Sequence, residues 1–270
     1  MFALLLSGCS TPSLTERRAL ADELAAARGW QHATLVTGPF VLAAWLAPTR
    51  GSDQLTIFIE GDGNAWATRR RPSSNPTPRS PAGLKLALAH PGGNVAYLAR
   101  PCQYVTVAEQ RGCGIAIWTR ERFSKAVVDA TDQAVSMLKS RRPARRLTLV
   151  GYSGGGAVAA LVAARRADVD QLVTVASPLD HQQWTNAKHL SPLTGSLNPA
   201  DHWSGLVDVP QIHFVGLADK VVDASSAESY RSRFPESEHI RIERMEGFDH
   251  RCCWVNAWPT LVTSWEKPAR

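Results

Sequence analysis

Short runs of apolar residues recur along this chain, and from about residue 54 onward helical stretches alternate with them. Three of the runs, LTIFIE, RLTLV and QLVTVA, are almost continuously apolar and rich in β-branched side chains. Such runs are typical of parallel strands buried on both faces, because crossover helices cover both sides of the sheet. The pattern therefore predicts an α/β domain with a mostly parallel central sheet of about eight strands and helices on both faces.

The individual elements follow from apolar periodicity and from turn and cap signals. Strands are predicted at 33–37, 40–46, 54–60, 94–99, 146–150, 171–176, 211–216 and 239–244. Helices are predicted at 14–28, 81–90, 122–140, 154–166, 223–233 and 254–265. The chain has 270 residues, of which 44% are hydrophobic, so one domain with a substantial core is expected. We assign it to 33–270, preceded by a helical segment at 10–32.

Residues 147–159 read LTLVGYSGGGAVA, and GYSGG at 151–155 fits the pattern G-x-S-x-G. A predicted strand precedes Ser153 and a predicted helix follows it, as at a nucleophile elbow, where a strained turn exposes a serine. Glycines at 151 and 155 remove side chains that would collide with the neighbouring strand and helix. A serine that merely capped the helix would not need these glycines, so the pattern favours a nucleophile.

A serine hydroxyl is a poor nucleophile without a base, and two later loops offer an acid and a histidine. Asp219 follows the strand QIHFVG, and His250 follows the strand IRIERME. The carboxyl ends of parallel strands share one edge of a sheet, so Ser153, Asp219 and His250 should converge there. We expect His250 to move the serine proton and Asp219 to orient the imidazole. Asp223, four residues further on, is the competing acid.

The elbow, the segment GLADKVV and the segment GFDH together resemble the α/β-hydrolase superfamily, over about residues 33–265. The resemblance implies the α/β-hydrolase fold, no metal or other cofactor, and an oxyanion hole made of two backbone N–H groups. One is that of Gly154. By position the other belongs to Asp62 or Gly63, and we expect Asp62. The usual His-Gly of that loop reads EG here, so Glu60 is expected either to orient the loop or to pair with a nearby arginine.

Residues 178–210 lie between the sixth and seventh predicted strands, where the superfamily often inserts a cap, and their number predicts a small one. Three aromatic residues are candidates for the substrate pocket: Trp66 in the oxyanion loop, Tyr152 beside the nucleophile, and Trp184 in the cap. For Trp184, packing of the cap is the alternative. These features predict carboxylic esters of modest size as substrates, cleaved through an acyl-enzyme on Ser153.

The first ten residues, MFALLLSGCS, resemble a bacterial lipobox, in which Cys9 would be lipidated after removal of a signal segment at 1–9. The next residue is Ser10 and not Asp, which by resemblance to the usual sorting pattern directs a lipoprotein to the outer membrane. We therefore expect a lipid-anchored protein on the periplasmic face of a bacterial cell envelope.

The remaining four cysteines fit an oxidising compartment and permit three disulfide pairings. Cys102 and Cys113 bracket a short loop that one disulfide would close. Cys252 and Cys253 are adjacent. A disulfide between neighbours is rare and strained, so we expect these two to be free thiols.

The net charge of +6 raises the question of nucleic-acid binding, but the arginines are scattered. The dense cluster RRPARR at 141–146 precedes a strand and is typical of a solvated loop. There is no zinc-ligand spacing, phosphate-binding loop or nucleic-acid motif, so we expect a small-molecule ester as partner, with no metal, nucleic acid or protein partner. A serine carboxylesterase is the main hypothesis. The alternatives are a peptidase or acyltransferase with the same triad, and a non-catalytic binding lipoprotein of the envelope.

Overall fold

The computed structural model describes residues 12–265 and contains all of the predicted strands and long helices. The strands are β1 Gln31–Thr37, β2 Phe40–Leu46, β3 Gln54–Ile59, β4 Asn94–Leu98, β5 Arg146–Tyr152, β6 Val169–Val175, β7 Gln211–Gly216 and β8 Ile240–Met245. The α-helices are α1 Leu14–Ala26, α2 Ala82–Ala89, α3 Ile115–Trp118, α4 Lys125–Ser140, α5 Gly154–Ala163, α6 His181–Ala187, α7 Ala224–Arg231 and α8 Trp254–Trp265. Short 3-10 helices occupy Val107–Glu109 and Pro199–Leu206. The predicted lipobox and Cys9 lie outside the described residues.

The eight strands form one sheet in the order β1-β2-β4-β3-β5-β6-β7-β8. β1 and β2 form the predicted antiparallel hairpin, which turns at Gly38 with a φ of +52°, and β2 also pairs antiparallel with β4. All other pairs are parallel. The carboxyl ends of β3 to β8 therefore lie at one edge of the sheet, and the loops that follow them meet there.

Helices cover both faces of the sheet and bury two apolar clusters. On one face α4, α5 and α7 contribute to the first cluster, and on the other face α1, α2 and α8 contribute to the second. Side chains of β3 alternate between the two: Leu55 and Ile57 belong to the first cluster, and Phe58 to the second. The predicted α/β architecture is confirmed, and both faces are apolar because both are covered. No helix among residues 12–265 is long and apolar enough to cross a membrane.

The segment predicted as a small cap, 178–210, forms α6 and the longer 3-10 helix. Trp184 of α6 is buried, and its Nε1 donates to the carbonyl of Val221, so α6 packs beside the loop after β7. The 3-10 helix packs elsewhere: a Cβ added at Gly205 would lie 2.3 Å from the carbonyl oxygen of Ala164, at the end of α5 remote from the elbow. Only the first half of the segment therefore lies near the expected site, and its role as a cap stays a prediction.

Two disulfides join the four described cysteines. Cys102 and Cys113 close the loop after β4, in agreement with the sequence, and a loop of this length predicts a stabilisation of about 3 kcal/mol. Cys252 and Cys253 are bonded to each other, so the expectation of two free thiols is wrong. The two cysteines lie in the turn between β8 and α8.

Candidate active site

Ser153 joins β5 to α5. Its backbone has φ +51° and ψ −127°, a conformation that residues other than glycine seldom adopt. The two predicted glycines make this turn feasible. A Cβ at Gly151 would lie 2.3 Å from the Cα of Gly156, and a Cβ at Gly155 would lie 2.3 Å from the carbonyl oxygen of Ile59. The serine is partly exposed at the carboxyl edge of the sheet. The local geometry is that of a nucleophile elbow.

The structure brings the three predicted triad residues into one hydrogen-bonded chain. Ser153 Oγ lies 3.0 Å from His250 Nε2, and His250 Nδ1 lies 2.8 Å from Asp219 Oδ2. The other oxygen, Asp219 Oδ1, accepts from the backbone N–H groups of Val221 and Val222 at 2.7 and 2.9 Å. Because a carboxylate only accepts, Nδ1 carries the imidazole proton, and Nε2 is left free to accept the proton of the serine.

The two other carboxylates of these loops have different roles. Asp223 caps the first turn of α7 and pairs with Lys188 at 2.5 Å, so it does not replace the triad acid. Asp249 accepts from the backbone N–H groups of residues 251 and 252, and these bonds hold its pKa below the ordinary value. Asp249 thereby fixes the loop that carries His250.

Tyr152, a predicted pocket residue, supports the histidine loop from the side of the elbow. Its hydroxyl donates to the carbonyl oxygen of His250 at 2.6 Å, and the two ring centroids lie 5.7 Å apart. Burial raises the pKa of Tyr152 well above its ordinary value, so the phenol keeps the proton that it donates. A positioning role for this residue was not foreseen from the sequence.

The other two pocket candidates lie on different loops. Trp66 sits on the loop after β3, opposite Pro72, and leaves 42% of its surface exposed. Trp184 packs against the loop of the triad acid and donates its Nε1–H to the carbonyl of Val221 on that loop. This contact agrees with the alternative expectation, that Trp184 packs the cap. That either side chain lines a substrate pocket stays a prediction.

The loop after β3 lies against the elbow, as an oxyanion loop must. A Cβ at Gly61 would lie 3.2 Å from Ser153 Cβ, and a Cβ at Gly154 would lie 2.0 Å from Asp62 Oδ1. The two residues expected to donate to an oxyanion, Gly154 and Asp62, are therefore neighbours. Their donor roles stay predictions, because no bound group marks the place of the oxyanion.

Two arginines that the sequence did not indicate hold the side chain of Asp62. Arg122 Nη1 lies 2.6 Å from Asp62 Oδ2, and Arg100 Nη1 lies 3.3 Å from Asp62 Oδ1. Both guanidinium groups are more than nine-tenths buried, and burial lowers the pKa of Arg100. Two cations around one carboxylate leave a surplus positive charge beside the elbow, where it would favour a developing negative charge.

Glu60 is fully buried and holds the start of the oxyanion loop. Its carboxylate accepts from the backbone N–H groups of Gly61 at 2.9 Å, Gly83 at 3.1 Å and Leu84 at 3.4 Å, and from the hydroxyl of Tyr97 at 2.9 Å. Burial raises the pKa of Glu60, and these hydrogen bonds oppose the rise. Of the two expectations for Glu60, the structure agrees with orientation of the loop and shows no arginine partner among the described residues.

A buried histidine of the sheet lies apart from the triad. His213 lies inside β7, bonds to Thr174, and has a pKa lowered by burial to about 3, as expected of a core histidine. Among residues 12–265, no three histidine, cysteine, aspartate or glutamate side chains come together as metal ligands.

A doubly covered, mostly parallel sheet with a Ser–His–Asp chain at its carboxyl edge defines the class of α/β-hydrolase-fold proteins with a serine-hydrolase triad. The chain has the α/β-hydrolase fold. A family model described as "PGAP1-like alpha/beta domain" matches residues 120–250, just under half of the chain. This stretch contains all three triad residues.

Solved structures of similar fold extend the match to nearly the whole chain. An esterase from Pyrococcus furiosus is 14% identical with a TM-score of 0.63, and the match covers 90% of this chain and 93% of that one. An α/β serine hydrolase without a lid, from Xanthomonas campestris, is 16% identical with a TM-score of 0.56, covering 89% and 96%. A serine hydrolase homologue from Coxiella burnetii is 14% identical with a TM-score of 0.57, covering 87% and 95%. Identities this low establish the shared fold alone. No curated protein matches the sequence.

Proposed function

We propose that this protein is a serine hydrolase that cleaves carboxylic esters through an acyl-enzyme on Ser153. One observation carries the proposal: the hydrogen-bonded chain from Ser153 through His250 to Asp219, with distances of 3.0 and 2.8 Å. The fold likeness to an esterase supports an ester over other acyl compounds. The lipobox-like start of the sequence supports a place in the bacterial envelope, with a lipid anchor on Cys9.

The geometry suggests how the reaction proceeds. His250 Nε2 takes the proton of Ser153 as Oγ attacks the ester carbonyl carbon. The carbonyl oxygen becomes an oxyanion facing the backbone N–H groups of Gly154 and Asp62. The bond to the alcohol then breaks, and His250 returns its proton to the leaving oxygen. A water molecule, deprotonated by the same imidazole, attacks the acyl-enzyme. The bond to Ser153 Oγ breaks, His250 returns the proton to that oxygen, and the acid is released, while Asp219 stabilises each imidazolium.

The alternatives, a peptidase, an acyltransferase or a binding lipoprotein, account for fewer features of the site than an esterase does. A peptidase or an acyltransferase would share the triad, so the fold does not separate them from an esterase. Ser153 and His250 are both partly exposed, which lets water reach an acyl-enzyme and favours hydrolysis over transfer. A binding lipoprotein would have no use for an imidazole held in one tautomer between a serine and a buried carboxylate.

Labelling with a fluorophosphonate probe, beside turnover of a series of p-nitrophenyl esters, tests the proposal. We expect wild-type protein to label stoichiometrically and Ser153→Ala to lose both labelling and turnover. Ser232→Ala, which changes an exposed serine of another loop, serves as the matched control and should behave as wild type. Folded wild-type protein that neither labels nor hydrolyses any ester of the series would contradict the proposal. Labelling without ester turnover would favour a peptidase or an acyltransferase.

A further inference from the structure

Exposed apolar side chains gather on the loops at the carboxyl edge of the sheet. They belong to loops after β3, β4, β6 and β7, and each leaves between 42% and 54% of its surface exposed: Trp66, Ile115, Leu190, Leu217 and Val221. Such side chains are ordinary when scattered singly, but a group of them on adjoining loops marks an interaction surface.

These loops adjoin one another around the triad. Trp118 Nε1 of α3 donates to the carbonyl of Ser73, which joins the loops after β4 and β3. Ser196 Oγ donates to the carbonyl of Arg120, which joins the loops after β6 and β4. Trp184 of α6 donates to the carbonyl of Val221, which joins the loops after β6 and β7. The hydrogen bond between Asp219 and His250 joins the loops after β7 and β8. The loops that carry the exposed apolar side chains are therefore connected to one another and to the triad, and we call them the rim.

A tight turn carries the largest of these side chains together with three arginines. Trp66 faces Pro72 across the turn, and the backbone N–H groups of residues 67 and 68 both donate to the carbonyl of Arg71. Arg69, Arg70 and Arg71 are all exposed. Within residues 12–265, none of their guanidinium groups has an ion pair or a hydrogen bond.

Most of the remaining exposed charge of the edge is also positive. Arg111, Lys220 and Arg251 are also exposed on these loops. Asp62 and Asp219 are already engaged, by two arginines and by the triad histidine respectively. Two exposed acids, Glu246 and Asp249, lie on the loop after β8, fewer than the six exposed cations. The rim therefore combines exposed apolar side chains with a surplus of unpaired positive charge.

We propose that this rim docks on an anionic phospholipid surface, with Trp66 and its apolar neighbours entering the headgroup region and the arginines of the turn contacting phosphate. Apolar side chains beside cationic ones are the composition that favours an anionic bilayer interface. Nucleic acid would match the arginines but would leave Leu217 and Val221 without a purpose. Docking in this orientation turns the carboxyl edge of the sheet, with the partly exposed Ser153, toward the lipid. The inference goes beyond the proposed function, because binding requires no turnover.

Co-sedimentation with vesicles tests the proposal. All proteins carry Ser153→Ala and Cys9→Ser, so that neither turnover nor acylation affects the comparison. We expect binding to vesicles of phosphatidylcholine with phosphatidylglycerol, weaker binding to phosphatidylcholine alone, and a loss of affinity with added salt. The triple change Arg69→Gln, Arg70→Gln and Arg71→Gln should weaken binding about a hundredfold, at about fivefold for each cation. Trp66→Ser should weaken binding even at low salt.

Matched controls come from the opposite edge of the sheet. The triple change Arg50→Gln, Arg141→Gln and Arg145→Gln removes the same charge from loops at the amino end of the strands. Val207→Ser removes an apolar side chain exposed to 39% on the loop before β7. Both should bind as the parent does. Equal losses in the rim variants and the controls would overturn the proposal, as would parent protein that ignores anionic vesicles or prefers a duplex DNA to them.

Discussion

Replacing Glu60 by glutamine keeps the shape of a buried side chain and removes its ability to carry charge. An amide can keep its oxygen toward the N–H groups of Gly61 and Gly83, but it then turns its NH₂ toward Tyr97 and Leu84. The Tyr97 hydroxyl can rotate and accept from that NH₂. The backbone N–H of Leu84 cannot, so it loses its acceptor.

One orphaned buried N–H costs about 1–3 kcal/mol, so E60Q should lower the free energy of unfolding by about that amount in mild acid. The deficit should shrink as pH rises. Burial raises the pKa of Glu60 above its ordinary value of 4.5, so above that pH the folded protein retains a proton that the unfolded chain has released. Wild-type stability then falls by up to about 1.4 kcal/mol for each pH unit until the raised pKa is passed. Glutamine has no such slope.

Urea unfolding at a series of pH values, followed by tryptophan fluorescence, measures this difference. Glu109→Gln is the matched control, because the pKa of Glu109 is shifted in the opposite direction to that of Glu60. Backbone and side-chain bonds from Thr106 hold the pKa of Glu109 below its ordinary value, so the advantage of wild type over that variant should grow as pH rises. A deficit of E60Q that also grows with pH would mean that the ionised carboxylate is the stabilised form, and the reasoning from burial would be refuted.

Two further substitutions test the triad acid and the elbow. Asp219→Asn turns an NH₂ toward His250 Nδ1 and forces the imidazole into its other tautomer. The kcat on a p-nitrophenyl ester should therefore fall by about 10⁴-fold, while the control Asp223→Asn stays close to wild type. A loss of less than tenfold would show that Asp219 has no role in the mechanism. Gly156→Ala places a methyl group 2.0 Å from Ser177 Oγ and should cost about 1–3 kcal/mol in chemical unfolding. In a double-mutant cycle with Ser177→Gly, an interaction energy near zero would locate the clash elsewhere.

The fold could be predicted closely because each strand is a compact apolar run between turn signals. All eight strands lie within two residues of their predicted bounds. The helices α3 and α6 escaped prediction because they have four and seven residues and no periodicity to read. Contacts distant in sequence accompany them, such as the bonds from Trp118 to Ser73 and from Trp184 to Val221.

The triad could be predicted because each of its residues lies on the loop after a strand, and chain order alone places these loops at one edge of the sheet. The two arginines that bind Asp62 could not be predicted, because they lie 38 and 60 residues away in sequence and form no local pattern with it. The sequence drew attention to the arginines at 141–146, which precede β5 and lie at the amino edge. The run at 69–71 lies on the loop after β3, and only the fold places that loop at the carboxyl edge.

Ser153 has a side chain where the backbone favours a residue without one. A left-handed conformation costs a residue with a Cβ about 1–2 kcal/mol, and glycine would escape that cost. The most stable sequence for this fold and the sequence able to perform nucleophilic chemistry therefore differ at the nucleophile itself. Directed evolution for heat resistance, without selection for turnover, would favour loss of the serine, so a thermostability campaign on this protein must score activity in every round.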